Sequence, residues 1–119
     1  MGRMKLMTKE IEKKFKSIGS QEDKGRDAQI ILKIFNPYGN ATWYFTEFEP
    51  ESRLLFGFAS LFQDHNDEWG YTSLDELVSL QPIPGLYLER DAHLDHPKVS
   101  EMTLICKKMG WQLPDHPRY

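Results

Sequence analysis

The sequence contains one cysteine and no long hydrophobic run, and each absence excludes a class of protein. Cys106 alone can form neither an internal disulfide nor a cysteine-based zinc knuckle, which is typical of a reducing, intracellular compartment. The apolar stretches span only a few residues and the mean hydropathy is -0.59, so no membrane span is predicted. Residues 1–16 are charged throughout and lack the apolar core of a signal peptide. We therefore expect a cytoplasmic protein.

Motifs for the common kinds of catalysis are also missing. No glycine-rich phosphate loop is present, and neither a serine nor the cysteine stands in a nucleophile signature. Cys106 falls on the apolar stripe of a predicted helix, which favours a buried structural thiol. The net charge of -3 argues against a dedicated nucleic-acid binder.

What the chain does contain favours one folded domain. Its 119 residues match the usual domain size, and the aromatic share of 13% argues against disorder. Thr8 and Gly19 are suited to begin and end a first helix. Strand-like runs follow at residues 29–35, 41–48 and 53–62. The short turns between them are rich in Pro, Gly and Asn, which predicts adjacent antiparallel strands.

The second half of the chain is predicted to alternate between helix and strand. In order, it contains an acidic loop (64–71), a short helix begun by the capping box Ser73 and Glu76, a strand (86–93) and a helix from Pro97 to Gly110. The expected fold is therefore α+β, a single domain over residues 1–119. A mainly antiparallel sheet of about four strands is flanked by three helices, packed mainly on one face. Residues 111–119 are expected to form an extended C-terminal arm.

Charge is distributed unevenly along the sequence. Residues 1–26 hold eight Lys or Arg and four acids, whereas residues 64–96 hold eight acids and one base, Arg90. Three of the four histidines also lie in the second region. One interpretation is an ordinary solvated face, and the other is a cation site, because carboxylates and imidazoles are metal ligands.

The row Glu89, Asp91 and His93 is the basis of a predicted metal site. Alternate residues of a strand point to one face, so these three side chains are expected to lie together. Further ligands are expected from other elements: Glu47, which alternation places with Trp43 and Phe45, and Glu68, with His65 or His96 as substitutes. Histidine with carboxylates favours zinc. The alternative is that the acids pair with Arg90, Arg53 or a lysine.

Several stretches of the chain, in a fixed order, resemble a known family. They are residues 6–10, 33–39, 41–47, 55–59, 68–77 and 85–91. The family comprises small proteins with a domain of unknown function, found on bacterial plasmids, integrative elements and phages. The resemblance implies a mobile-element accessory protein, with a phage-type anti-CRISPR member as one form, and it transfers no catalytic residues. Anti-CRISPR proteins are the best-known small, acidic phage proteins that occupy a basic, nucleic-acid-binding surface. The loop before Trp69 and residues 92–96 depart from the family pattern, so a site using their histidines is expected to be particular to this member.

Two functions are consistent with these patterns. The first is a binding protein that inhibits or modulates a host defence protein by occupying its basic, nucleic-acid-binding surface. Asp64, Asp67 and Glu68 are the expected contacts, with no direct binding of nucleic acid or membrane and with a monomer or weak dimer as the expected state. The second is a metal-dependent hydrolase that uses the acidic and histidine cluster. The sequence offers no separate general base or oxyanion donor for it, which favours the binding protein.

Overall fold

A five-stranded antiparallel sheet lies at the centre of the computed structural model, which describes residues 4–61 and 67–110. The strands are β1 (Leu32–Phe35), β2 (Thr42–Glu49), β3 (Leu54–Ser60), β4 (Glu68–Ser73) and β5 (Glu89–Arg90). Their order in the sheet is β4-β3-β2-β1-β5, and every neighbouring pair is antiparallel. The predicted α+β class is confirmed, with β4 as an additional strand.

Three α-helices and two 3₁₀ segments complete the described chain. They are α1 (Lys9–Ile18), α2 (Leu74–Ser79) and α3 (Thr103–Met109), with 3₁₀ turns at Glu22–Asp27 and Val99–Glu101. The predicted caps are confirmed. The Thr8 hydroxyl accepts the Ile11 N–H at 3.1 Å, and the Ser73 hydroxyl accepts the Glu76 N–H at 3.2 Å. In the described part of the chain, no helix has the length and apolar character needed to cross a membrane.

Each face of the sheet has its own hydrophobic core. We call first face the one covered by α1 and α2, where Phe15, Leu74 and Leu77 pack with Trp43 and Phe45. We call second face the opposite one, partly covered by α3 and by the segments that flank the 3₁₀ turns. The buried residues of this second core are Ala28, Ile30, Tyr44, Phe58, Val99 and Ile105. Two of the three helices therefore pack on one face, as expected, and α3 is the exception. Amphipathicity shows that a helix packs on a sheet but not on which face.

A β-bulge in β2 changes which residues share a face. Phe45 pairs with Gly57 but Glu47 pairs with Phe56, so Thr46 is an extra residue. Paired residues lie on one face, and the Glu47 side chain is therefore on the second face with Phe56. The predicted grouping of Glu47 with Trp43 and Phe45 is wrong for this reason.

The bulge is held by the buried amide of Gln21, which is 3% exposed. Its nitrogen donates to the Thr46 carbonyl at 2.7 Å and to the Gln29 carbonyl at 2.9 Å. Its oxygen accepts the Gln29 N–H at 2.8 Å. The polar residues after α1 thus anchor the sheet rather than only connect elements.

Several predicted boundaries differ from the structure, among them the start of β1, expected at residue 29 and found at Leu32. The acidic loop ends at Glu68, where β4 begins to pair with β3. The strand expected over 86–93 is reduced to Glu89–Arg90. It ends there because the Asp91 carboxylate accepts the His93 N–H at 2.9 Å and turns the chain.

The last helix begins later than predicted. Pro97 lies in an extended segment, since its carbonyl accepts the Ile30 N–H at 2.8 Å and the Val99 N–H donates to Ala28 at 2.8 Å. The helical conformation of α3 therefore starts only at Thr103. The predicted C-terminal arm, 111–119, lies outside the described residues.

Candidate interaction site

Three of the predicted metal ligands lie in one groove beside β1. Glu89, Asp91 and His93 line this groove of about 530 Å³ together with Lys33. The Lys33 ammonium lies 3.8 Å from the Asp91 carboxylate. This is the lysine pairing that the sequence left open as the alternative to a metal.

The other two predicted ligands lie elsewhere. Glu68 is on β4 and Glu89 on β5, at opposite edges of the sheet, separated by four strand spacings or about 19 Å. Glu68 pairs with Ala59 on the first face, whereas Glu47 is on the second face. The structure therefore does not bring the five residues together. Over residues 4–61 and 67–110, no group of three or more His, Cys, Asp or Glu side chains is placed to hold a metal ion, and zinc binding stays a prediction.

Of the two substitute histidines, His96 is the one that the structure describes, and it adds no ligand to that groove. His96 lines a separate groove of about 540 Å³, between α1 and residues 90–96. Burial and the nearby Lys14 ammonium lower the pKa of His96, and Asp95 opposes them. His65 lies outside the described residues.

The three acids predicted to contact a partner have different environments. Asp64 lies outside the described residues. Asp67 is 3% exposed, and its carboxylate accepts the Ser60 hydroxyl at 3.1 Å and the Leu61 N–H at 3.0 Å. The predicted contact role of Asp67 is therefore wrong, since its oxygens are used within the fold. Glu68 is exposed on β4 and accessible to a partner.

A second surface with exposed aromatic rings carries acids from outside the predicted 64–96 region, Glu47 and Glu49. On the second face, Glu47, Phe56 and Tyr71 form one row across β2, β3 and β4, and the next row is Glu49, Leu54 and Ser73. We call these six residues the open half-face. They lie beyond the part of the second face that α3 covers, and Tyr71 is 73% exposed. Glu47, Glu49, Leu54, Phe56 and Tyr71 border a cavity of about 380 Å³.

An aromatic ladder connects this open half-face to the core. The Phe56 ring centroid lies 5.1 Å from that of Tyr71 and 5.9 Å from that of Trp69, and Trp69 lies 5.5 Å from Phe58. Phe58 is fully buried. The exposed rings are therefore positioned by packing that continues into the second core.

The β2–β3 turn adds negative charge beside the aromatic rings. Glu49 ends β2 and Glu51 lies in the turn, both exposed, and α2 places Asp75 next to the turn. Arg53 donates to the Asp75 carboxylate at 2.8 Å. Sequence reasoning missed this surface, although one signal was available: three acids alternate over residues 47–51, in a stretch with no Lys or Arg between 33 and 53.

Comparison with known proteins gives one match. The family model described as "Protein of unknown function (DUF2958)" matches residues 6–110. No curated protein matches the chain, and no solved structure matches it.

Proposed function

The chain belongs to the DUF2958 family, and we propose that it is an accessory protein of a bacterial mobile element or phage. It acts by binding a basic surface of a host nucleic-acid-binding protein. In the more specific form of the proposal, this partner is a host defence protein, and the chain inhibits it as anti-CRISPR proteins do. Such a partner places the protein in the cytoplasm. We propose a monomer or weak dimer that contacts neither nucleic acid nor membrane itself.

The observation that supports this proposal is the combination of charge and exposed aromatic area on the open half-face. Glu47 and Glu49 line the same cavity as Phe56 and Tyr71. Aromatic residues dominate the binding energy of many interfaces, and complementary charge steers association and excludes wrong partners. A surface of this kind is complementary to a basic protein patch, and a protein seated on such a patch competes with nucleic acid.

The experiment is capture from a bacterial lysate on the immobilised chain, followed by competition. We expect the captured protein to bind nucleic acid and to release it when the chain is added. Binding should weaken with added salt, because the Debye screening length of the charges falls to about 3 Å at 1 M ionic strength. The triple variant Glu47→Lys, Glu49→Lys, Glu51→Lys should weaken binding at least tenfold.

The matched control reverses charge on the opposite side of the sheet. Lys9→Glu with Lys14→Glu changes exposed residues of α1, which packs on the first face, and should leave binding unchanged. Asp67 is left out of the design because its substitution would disturb the fold. Binding that survives the triple reversal, or that depends on Lys9 and Lys14, would overturn the proposal.

A metal-dependent hydrolase was the alternative from the sequence. It requires converging ligands with an open coordination position. Such a site would lie in the groove of Glu89, Asp91 and His93. In that groove, however, the Lys33 ammonium forms an ion pair with the Asp91 carboxylate. No observation on the described residues favours this alternative over the binding protein.

A further inference from the structure

β4 is an edge strand without the usual protection of an edge. It ends the described sheet, and all six of its residues pair with β3 without a register shift. Natural edge strands are commonly protected by lysine, proline, a bulge or very short length. β4 contains no lysine or proline, and Glu68 at its start is its only charged residue. Among residues 4–61 and 67–110, no backbone group pairs with its outer side, and a further strand can add there.

The backbone groups on this outer side belong to the aromatic residues. The Leu74 N–H donates to the Arg53 carbonyl at 3.0 Å, which marks positions 53 and 74 as a hydrogen-bonded pair. Bonded and non-bonded pairs alternate along an antiparallel ladder. Trp69 and Tyr71 are thus in non-bonded pairs with β3, and their N–H and C=O groups point outward. Their side chains are on the second face.

The charges indicate which segment would pair there. Among the described residues, no hydrogen bond or ion pair engages the Glu47 carboxylate, which is next to Phe56 and Tyr71 in its row. Glu49, in the next row, adds a second carboxylate, which accepts the Glu51 N–H at 3.2 Å. A guanidinium stacks on aromatic rings and binds carboxylates, and arginine does both better than lysine.

We propose that β4 binds an extended, arginine-bearing segment of the basic partner as a sixth strand. Main-chain hydrogen bonds form with Trp69 and Tyr71, as in other cases of strand addition. An arginine opposite Tyr71 lies over the Tyr71 and Phe56 rings and points towards Glu47. This inference rests on the proposed function and specifies how the partner is recognised.

The test uses a synthetic peptide of seven alternating threonine and arginine residues, with its terminal charges blocked. When the peptide is extended, all its arginines lie on one side. Binding is followed by NMR on the whole chain. We expect the amides of Trp69 and Tyr71 to shift and to exchange more slowly with solvent. A peptide with N-methyl groups on alternate residues, which cannot pair its backbone, should bind at least tenfold more weakly. The lysine version of the peptide should also bind more weakly.

Side-chain variants test the recognition of arginine. Tyr71→Ala removes a ring that is 73% exposed, so the fold is retained and affinity should fall about tenfold, within the range of a cation–π contact. Glu47→Gln should reduce the preference for the arginine peptide over the lysine peptide. Tyr38→Ala is the matched control: Tyr38 is 45% exposed, in the turn between β1 and β2, and its loss should have no effect.

Three results would overturn the inference. They are equal binding of the N-methylated peptide, shifts confined to α1, and a dimer whose Trp69 and Tyr71 amides are already protected without peptide. If lysate capture depends on Glu47, Glu49 and Glu51 but the peptide does not bind at β4, only this inference fails. If reversing the charge of those three acids leaves capture unchanged, the proposed function fails.

Discussion

Asp67 and Glu68 are neighbours in the chain with opposite environments. Asp67 is buried and accepts hydrogen bonds from Ser60 and Leu61, so it joins the two ends of the segment between them. Glu68 begins β4 and is exposed. Burying a carboxylate is costly unless its oxygens are satisfied, and here the donors are supplied by the end of β3. Burial in the fold, and not position in a charged stretch, therefore decides which of these two acids a partner can reach.

Among the glycines of the described residues, Gly57 has the least room for a side chain. A Cβ at this position would lie 2.7 Å from the Phe45 Cα and closer still to the Tyr44 carbonyl oxygen. We expect Gly57→Ala to lower the free energy of unfolding by roughly 2–4 kcal/mol, because backbone atoms of β2 cannot move aside cheaply. Urea unfolding measures the change.

Gly70, which pairs with Gly57 on β4, is the matched control. A Cβ there would meet no heavy atom within 4 Å. Gly70→Ala should therefore change the free energy of unfolding by no more than about 0.5 kcal/mol. Equal losses for the two variants would show that the cost is a general effect of alanine in these strands and not the close approach at Gly57.

At the scale of elements, the bulge in β2 links strand geometry to the candidate site. It shifts the register by one residue after Phe45, and a one-residue shift moves a side chain to the other face. Glu47 consequently joins Phe56 and Tyr71 instead of the first core. The Gln21 amide, which bonds to the Thr46 carbonyl, stabilises this arrangement from outside the sheet.

Gln21→Ala should lower the free energy of unfolding by about 1–3 kcal/mol. It leaves the buried Thr46 carbonyl without the amide donor and removes both bonds to Gln29. Gln21→Glu should cost more, since a carboxylate would face two carbonyl oxygens. Thermal or urea unfolding measures both changes. Glu22→Ala, at an exposed neighbouring position, should have almost no effect, and a similar loss there would contradict the role of the Gln21 amide.

At the scale of the whole molecule, strand order decides which acids can act together. Residues 68 and 89 belong to one acidic stretch of sequence but lie at opposite edges of the sheet. Conversely, Glu49 and Asp75 are distant in sequence and close in space, because Arg53 connects the β2–β3 turn to α2. The acidic surface near the open half-face is therefore a product of topology.

The zinc prediction has a specific expected result in this topology. Protein purified without a polyhistidine tag should carry one zinc ion per chain by elemental analysis, and its melting temperature should fall after treatment with a chelator. Asp91→Asn and His93→Asn should lose the metal. Glu68→Gln should keep it, because Glu68 lies about 19 Å away at the other edge of the sheet. The prediction would be contradicted if the purified protein contained no zinc and its melting temperature did not change with the chelator.

Local signals in the sequence were sufficient for the elements that local chemistry controls. The caps Thr8 and Ser73 form hydrogen bonds within three residues, and the turn-rich connections between β1, β2 and β3 leave room only for antiparallel pairing. The α+β class follows from the same signals. The family resemblance, carried by ordered stretches of sequence, agrees with the DUF2958 match as far as a family of unknown function.

Only the tertiary structure decided the composition of the candidate site. Alternation places Glu89 and Asp91 together, and they do line one groove, but it gives no information on the strand that lies beside them or on the Lys33 ammonium. The bulge that turns Glu47 to the second face depends on Gln21, 25 residues earlier in the sequence. The side-chain period of a strand is a local property of the backbone, whereas strand order, register shifts and burial arise from contacts between residues distant in sequence. The open half-face could therefore not be predicted from the spacing of residues alone.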